Sequence, residues 1–134
     1  AFRPIWFEAH GQNIDITSCK IEKIVIINIY KNPKSSFEFF CHSLAAIKDW
    51  FNYPNVLLCG DFNEDFKKDL KIWRYLKDTF NLQMLSPLES TTDGATTIDA
   101  IFGKLQDYDF ESRIYESYAS YHKPLVFRVL RKGG

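Results

Sequence analysis

Two residues that could take part in catalysis, Asp61 and Asn63, follow a short apolar run, in the segment Gly60-Asp-Phe-Asn63. The run at 55–60 predicts a buried strand, and open α/β sheets bind ligands at the carboxyl ends of their strands. An aspartate there can accept a proton from water, and an asparagine amide can hold a phosphoryl oxygen. The alternative is a structural turn, because Asp and Asn are common turn formers.

Asp99 and His122 are further candidates near predicted strand ends. Asp99 interrupts an apolar strand, where a carboxylate is costly unless it is paired or hydrogen-bonded, so it is either satisfied structurally or orients a catalytic partner. His122 precedes the last predicted strand and could donate a proton near neutral pH, although a lone histidine before Lys-Pro is also an ordinary loop residue. Because Asp61, Asn63, Asp99 and His122 all lie at or near strand ends, we predict that they form one site.

Apolar patterning predicts the elements that must position these residues. Strands are predicted at 21–30, 55–60, 96–102, 112–118 and 125–130, and a loop at 86–95. The run at 21–30 is nearly continuous and stops at Asn-Pro, which predicts a strand covered on both faces. A capping box at 35–38 with apolar residues at 40, 44, 47 and 51 predicts one helix, and apolar residues at 70, 73, 76 and 80 predict another. This order predicts an α/β fold with a mixed β-sheet and two main helices.

The composition predicts a single domain over residues 1–134 and excludes several classes of protein. The chain is 46% hydrophobic, which excludes wholesale disorder, and its 17 basic and 17 acidic side chains exclude a binder that relies on bulk positive charge. No apolar run approaches the roughly 20 residues of a membrane helix. The first residues lack the plan of a secretory signal, the alternative being a signal that has already been removed. Three widely spaced cysteines predict free thiols, and hence an intracellular protein, nuclear or cytoplasmic.

Three ordered motifs resemble a known family: Val56-Leu-Leu-Cys-Gly-Asp-Phe-Asn63, Thr97-Ile-Asp-Ala-Ile-Phe102 and Ser120-Tyr-His-Lys-Pro-Leu125. Together they resemble the C-terminal half of the endonuclease/exonuclease/phosphatase superfamily, which includes DNase I, abasic-site endonucleases and the endonuclease domains of non-LTR retrotransposons. Tyr30, followed by Lys-Asn-Pro, is similar to the family's Tyr-X-X-Pro segment. The resemblance implies half of the DNase I-like four-layered sandwich, in a protein similar to those of mobile elements.

The resemblance also implies a reaction: hydrolysis of a phosphodiester assisted by Mg²⁺ or Mn²⁺, with nucleic acid as the expected partner. By resemblance, Asp61 would orient or deprotonate the attacking water and contribute to the metal site. Asn63 would bind the scissile phosphate, and His122 would stabilise or protonate the phosphoryl oxygens. Asp99 would orient His122, and Tyr30 would lie near the phosphate.

Two departures from the family pattern predict an incomplete metal site in this chain. Tyr121 stands where the family has the Asp of Ser-Asp-His, and residues 1–20 do not reproduce the family's Asn and Glu motifs. Asp61 then remains as the main carboxylate for a metal. The alternative function is therefore a catalytically impaired domain that binds nucleic acid or protein.

Half of the sandwich would also expose the sheet face that normally meets the other half. We therefore expect a partner, either a homodimer or a second chain that supplies the missing half. The alternative is that residues 1–20 fold back across that face through Phe2, Ile5, Trp6 and Phe7.

Overall fold

The computed structural model describes residues 3–86, 99–114 and 125–132. It confirms the predicted α/β class, with two helices and a mixed sheet. The elements in chain order are β1 (Arg3–Ala9), β2 (Gln12–Ile21), β3 (Ile24–Lys31), α1 (Phe37–Ala46), a 3-10 turn (Lys48–Asn52), β4 (Asn55–Asp61), α2 (Lys71–Phe80), β5 (Gln83–Met84), β6 (Asp99–Leu105), β7 (Tyr108–Ile114) and β8 (Leu125–Arg131).

Six strands form one sheet in the order β1-β2-β3-β4-β6-β5, and β7 and β8 form a separate pair. β1, β2 and β3 are antiparallel neighbours, whereas β3 and β4 run parallel and are connected through α1. β6 runs antiparallel to β4 on its other side. The carboxyl ends of β3 and β4 therefore meet the start of β6 at one edge of the sheet.

The predicted strand at 21–30 is wrong in two respects. Ile21 ends β2, and the chain turns at 22–23, where Glu22 adopts a left-handed φ of 53°. Along β3, Val25, Ile27 and Ile29 are buried, whereas the intervening Asn28 and Tyr30 are exposed. The strand is therefore covered fully on one face, because both helices pack on the same side of the sheet.

The helix-covered face is the face of the sheet that packs against α1 and α2, and it carries the main core. The predicted stripe is buried at Phe40, Leu44, Ile47 and Phe51, but the single helix predicted there is wrong, because α1 ends at Ala46 and Phe51 lies in the 3-10 turn. The cap differs by one residue: the hydroxyl of Ser36 accepts from the N–H of Phe39 at 3.1 Å. In the second helix the buried residues are Ile72 and Leu76, whereas Leu70 precedes the helix and is 40% exposed. The strand residues of this core include Ile14, Ile16, Ile27, Ile29, Val56, Leu58, Ala100 and Phe102.

The open face is the opposite face of the six-stranded sheet, which carries Trp6, Tyr30 and Asp61 toward one end. The strands β7 and β8 cover its other end, where Leu57, Ile101 and Tyr108 form part of a smaller buried cluster. Of the predicted strands and loop, residues 87–98 and 115–118 lie outside the described residues.

Residues 3–21 do not fold across the open face but extend the sheet sideways as β1 and β2. Ile5 and Phe7 contact the helix-covered core, whereas Trp6 is 71% exposed on the open face. The alternative prediction for this segment is therefore wrong over its described residues, and Phe2 lies outside them. Neither helix of the described chain has the length and apolar character needed to cross a membrane.

Candidate functional site

A row of polar residues crosses the open face at the carboxyl ends of β3 and β4. Tyr30 is the register partner of Asp61, and Asp61 is the register partner of Asp99 on β6. Paired residues on neighbouring strands project from the same face, and neighbouring strands lie about 4.8 Å apart. Three of the five predicted site residues, far apart in sequence, are therefore neighbours in the sheet.

Gly60 allows the strands to approach closely beside this row. Its φ is 144°, and a Cβ at this position would collide with the main-chain carbonyl of Ile29 on β3. A side chain here would push β4 away from β3. The glycine that precedes Asp61 therefore serves strand pairing as well as the change of direction after the strand.

Asp61 and Asn63 form a hydrogen-bonded turn at the end of β4. The N–H of Asn63 donates to Oδ1 of Asp61 at 2.9 Å, and Asn63 has a left-handed φ of 49°. The amide Nδ2 of Asn63 donates to the main-chain carbonyl of Lys31 at 2.6 Å, which fastens the turn to β3. The structural turn considered from the sequence is therefore present, and the candidate site is built on it.

Phe62 anchors this turn from below. It is fully buried, and its ring lies 6.2, 5.5 and 5.4 Å from the ring centroids of Phe40, Phe66 and Phe102. Because Phe62 points into the helix-covered core, Asp61 points to the open face. Two adjacent residues thus face opposite ways: Phe62 anchors the turn in the core, and Asp61 faces the candidate site.

His122 and Tyr121 lie outside the described residues. The roles predicted for the imidazole and for the tyrosine that replaces the family's aspartate stay predictions. Among the described residues, the row of Tyr30, Asp61 and Asp99 and the adjoining Asn63 make up the candidate site.

Sequence reasoning missed Asp15, Lys31 and Glu64. Asp15 is the register partner of Tyr30 and extends the polar row onto β2. Lys31 is fully buried, and its Nζ lies 3.4 Å from Oε1 of Glu64, which directly follows Asn63. The alternation of Ile14 and Ile16 with polar residues could have revealed β2 and placed Asp15, but nothing local to Lys31 signals a partner 33 positions away.

The thiol nearest the row is poorly suited to act as a nucleophile. Cys59 lies two residues before Asp61 on β4 and is the register partner of Asn28 and Ile101. Its Sγ lies 3.3 Å from Oδ1 of Asn28. Burial, and secondarily the charge of Cys19, raise the pKa of Cys59 to about 11, so the thiol keeps its proton at neutral pH. All three cysteines are free.

The described side chains do not by themselves fit a complete divalent-cation site. Across residues 3–86, 99–114 and 125–132, no group of three or more His, Cys, Asp or Glu side chains could hold a metal ion. Mg²⁺ usually takes one or two carboxylates together with water and substrate phosphates. Asp61 could supply one such carboxylate, and its role as a metal ligand stays a prediction.

No protein-family model and no curated protein matches the chain. Solved structures do match. An endonuclease/exonuclease/phosphatase family protein from Leptotrichia buccalis is 16% identical, with a TM-score of 0.66 over 96% of this chain and 61% of its own. The endonuclease domain of TRAS1, a telomere-specific non-LTR retrotransposon, is 17% identical, with a TM-score of 0.65 over 97% of this chain and 67% of its own.

The inositol polyphosphate 5-phosphatase domain of SPsynaptojanin, in complex with inositol (1,4)-bisphosphate and a calcium ion, is also similar. It is 12% identical, with a TM-score of 0.65 over 97% of this chain and 54% of its own. These likenesses confirm the predicted fold: the chain has the architecture of part of a DNase I-like domain. It spans about half to two thirds of the length of the structures it matches.

Proposed function

We propose that the edge formed by the ends of β3 and β4 and the start of β6 binds a phosphoryl group, and that the protein hydrolyses a phosphodiester of a nucleic acid. The observation that supports this most is the register of Tyr30, Asp61 and Asp99 across three neighbouring strands. Similar folds occur in an endonuclease domain and in a phosphatase domain bound to an inositol phosphate, which share phosphoester chemistry.

In this proposal Asp61 orients the attacking water and accepts its proton. Its Oδ1 accepts the N–H of Asn63, which restricts rotation of the carboxyl group at the sheet edge. Tyr30 is 42% exposed beside it and can donate its phenolic O–H to a phosphoryl oxygen. Asn63 holds the phosphate, while His122 donates a proton and is oriented by Asp99.

We further propose that the reaction requires Mg²⁺ or Mn²⁺, which would neutralise charge on the phosphate. Asp61 is the described carboxylate best placed to contribute a ligand, and substrate phosphates would contribute others. The described residues do not complete a metal site. Tyr30 and Asn63 are therefore assigned direct contacts with the phosphoryl group and not contacts with a metal ion.

A second candidate function is a binding module for nucleic acid or protein that has lost catalysis. Two observations favour it: the described residues lack a complete set of metal ligands, and Tyr121 replaces an acidic residue of the family motif. Retention of Tyr30, Asp61, Asn63, Asp99 and His122 favours hydrolysis, because a module that only binds has no evident need for all five.

The open face gives a reason to propose a protein partner. Trp6, Ile21 and Tyr30 are 71%, 56% and 42% exposed on it. We propose that a second copy, or another polypeptide, covers this face. Light scattering at micromolar concentration tests the first possibility, and a strictly monomeric species would contradict it. The three free thiols support an intracellular setting, nuclear or cytoplasmic, as part of the same proposal.

Plasmid nicking with Mg²⁺ or Mn²⁺ tests the proposed reaction. We expect Asp61→Ala and His122→Ala to lose about 100-fold or more of the activity. The matched controls Asp78→Ala and His42→Ala change the same residue types at exposed helical positions and should keep the wild-type rate. Equal activity in all five proteins would contradict the proposed site, and absence of nicking with intact DNA binding would support the binding module.

A further inference from the structure

Lys31 is the last residue of β3 and has no exposed surface. Lysine is almost never fully buried unless it is paired, because removing an ammonium group from water is costly. Its partner here is Glu64, whose Oε1 lies 3.4 Å from Nζ and whose side chain is 34% exposed. The pair therefore joins a buried cation to a carboxylate at the surface.

Lys31 contacts the Asp61–Asn63 turn by two separate routes. Its main-chain carbonyl accepts Nδ2 of Asn63 at 2.6 Å. Its side chain reaches Glu64, the next residue after Asn63. Together with the bond from the N–H of Asn63 to Asp61, these contacts tie the turn to the end of β3, directly beside Tyr30.

The chemistry of this pair does not suit a role in stability alone. A buried ion pair is often no more stabilising than apolar residues of the same volume, because desolvation offsets the attraction. Lys31 follows Tyr30 in β3, and its side chain spans the space between β3 and the loop after β4. A methionine would fill much of the same space but could not hold Glu64.

We propose that Lys31 is a positioning residue for the phosphoryl site: its buried ammonium holds Glu64 and thereby keeps Asp61 and Asn63 aligned with Tyr30. This inference rests on the proposed hydrolytic function. Misplacement of reacting groups by about 1 Å can cost about 100-fold in rate. Loss of the Lys31–Glu64 pair should therefore lower kcat/KM for nicking by about 10- to 100-fold.

Two variants separate positioning from stability. Lys31→Met removes the buried charge and leaves Glu64 free to be hydrated, so Tm should stay the same or rise. Glu64→Gln leaves the buried ammonium with a neutral acceptor, so Tm should fall. A positioning role predicts lower kcat/KM in both variants, whereas a structural role predicts that activity follows Tm. Glu22→Gln, which breaks the exposed pair with Arg131 before the start of β3, is the matched control and should keep wild-type kcat/KM.

Hydrogen exchange of the Asn63 N–H, measured on the full chain without substrate, gives a second readout. We expect faster exchange in Lys31→Met and Glu64→Gln than in Glu22→Gln, because the bond to Asp61 loosens. Wild-type exchange together with wild-type kcat/KM in Lys31→Met would overturn the inference. If Asp61→Ala nicks as fast as wild type, the proposed reaction fails instead, and the exchange rates alone then decide whether Lys31 holds the turn. If Lys31→Met does not fold, kcat/KM of Glu64→Gln is measured well below its Tm, where the variant is fully folded. A positioning role predicts a loss of about 10- to 100-fold there, and the wild-type value would overturn the inference.

Discussion

The two ends of β4 both carry polar residues, but these residues are used differently. At the amino end, Asn55 is fully buried and makes four hydrogen bonds: Nδ2 donates to Lys23 and Asp107, and Oδ1 accepts from the N–H groups of Gln106 and Asp107. At the carboxyl end, Asp61 is partly exposed and lies in register with Tyr30 and Asp99.

The difference shows when a polar residue at a strand end indicates a site. Asn55 satisfies its whole amide within the protein and holds the turn between β6 and β7 against the start of β4, so it has no capacity left for a ligand. The row at the other end groups polar side chains from separate strands on the open face. Convergence together with exposure, rather than polarity, distinguishes the candidate site.

The largest effect on stability is expected from truncating Phe62, the buried ring beneath the carboxyl end of β4. Phe62→Ala should lower the free energy of unfolding by about 3–5 kcal/mol, because it leaves a cavity among three other rings. Urea denaturation measures this loss. Trp6→Ala, also an aromatic truncation but on the exposed part of the open face, should cost about 1 kcal/mol or less. Equal losses would mean that the two faces do not differ as described.

The amino end is expected to matter for stability and not for nicking. Asn55→Ala leaves several buried partners unsatisfied and should cost about 2–3 kcal/mol in urea denaturation. The folded protein should nick plasmid at the wild-type rate. Asn52→Ala, an exposed amide three residues earlier, should change stability by no more than about 0.5 kcal/mol. If the folded Asn55→Ala protein lost its nicking activity, the two ends of β4 would not differ in function as described.

Just beyond the carboxyl end of β4, the left-handed backbone of Asn63 allows the contributions of its side chain and its main chain to be measured separately. Asn63→Gly and Asn63→Ala both lose the bond from Nδ2 to Lys31, but alanine also meets the left-handed φ of 49°. The alanine variant should therefore be less stable than the glycine variant by about 1 kcal/mol. Thermal denaturation gives this order, and both variants should lose nicking. Equal nicking in wild type and Asn63→Gly would show that the amide serves the turn and not the phosphate.

The smallest effect concerns Cys59, next to the row. Its pKa in the folded protein is raised to about 11 by burial, above the value of about 8.5 of an unfolded thiol. The resulting stabilisation is fully present below the unfolded pKa and is lost as pH rises toward 11, since the unfolded thiol ionises first. Between pH 8 and 9, wild type should therefore lose more stability than Cys59→Ala, by about 0.7 kcal/mol. Identical pH profiles would show that the thiol is not shielded in the fold.

Local patterns predicted the parts of the fold that depend on local sequence. The apolar run at 55–60 gave β4 within one residue, and the capping box gave the start of α1 within one residue. The end of α1 was wrong, because the helix stops at Ala46 and the predicted stripe continues to Phe51 in the 3-10 turn. The turn at Glu22 carries no glycine or proline, so the break between β2 and β3 left no signal.

For the candidate site, too, the sequence predicted the residues that follow from local patterns and missed those that depend on distant partners. Asp61 and Asn63 could be predicted because a strand end precedes them directly. Lys31 could not, because its burial depends on Glu64, and the structural role of Asn55 depends on Asp107, 52 positions away. Partners at such separations are set by how the strands pair, which a pattern of neighbouring residues does not encode.

The position of β6 between β4 and β5 has a consequence for the order of folding. β1, β2 and β3 pair through short turns, whereas Asp61 meets Asp99 only after the chain returns from 38 positions away. Contacts between residues close in sequence form at lower entropic cost than distant ones. The meander and α1 are therefore expected to assemble first, and the polar row becomes complete late, when β6 docks. A folding intermediate would then contain much of its final secondary structure, but its candidate site would still lack Asp99.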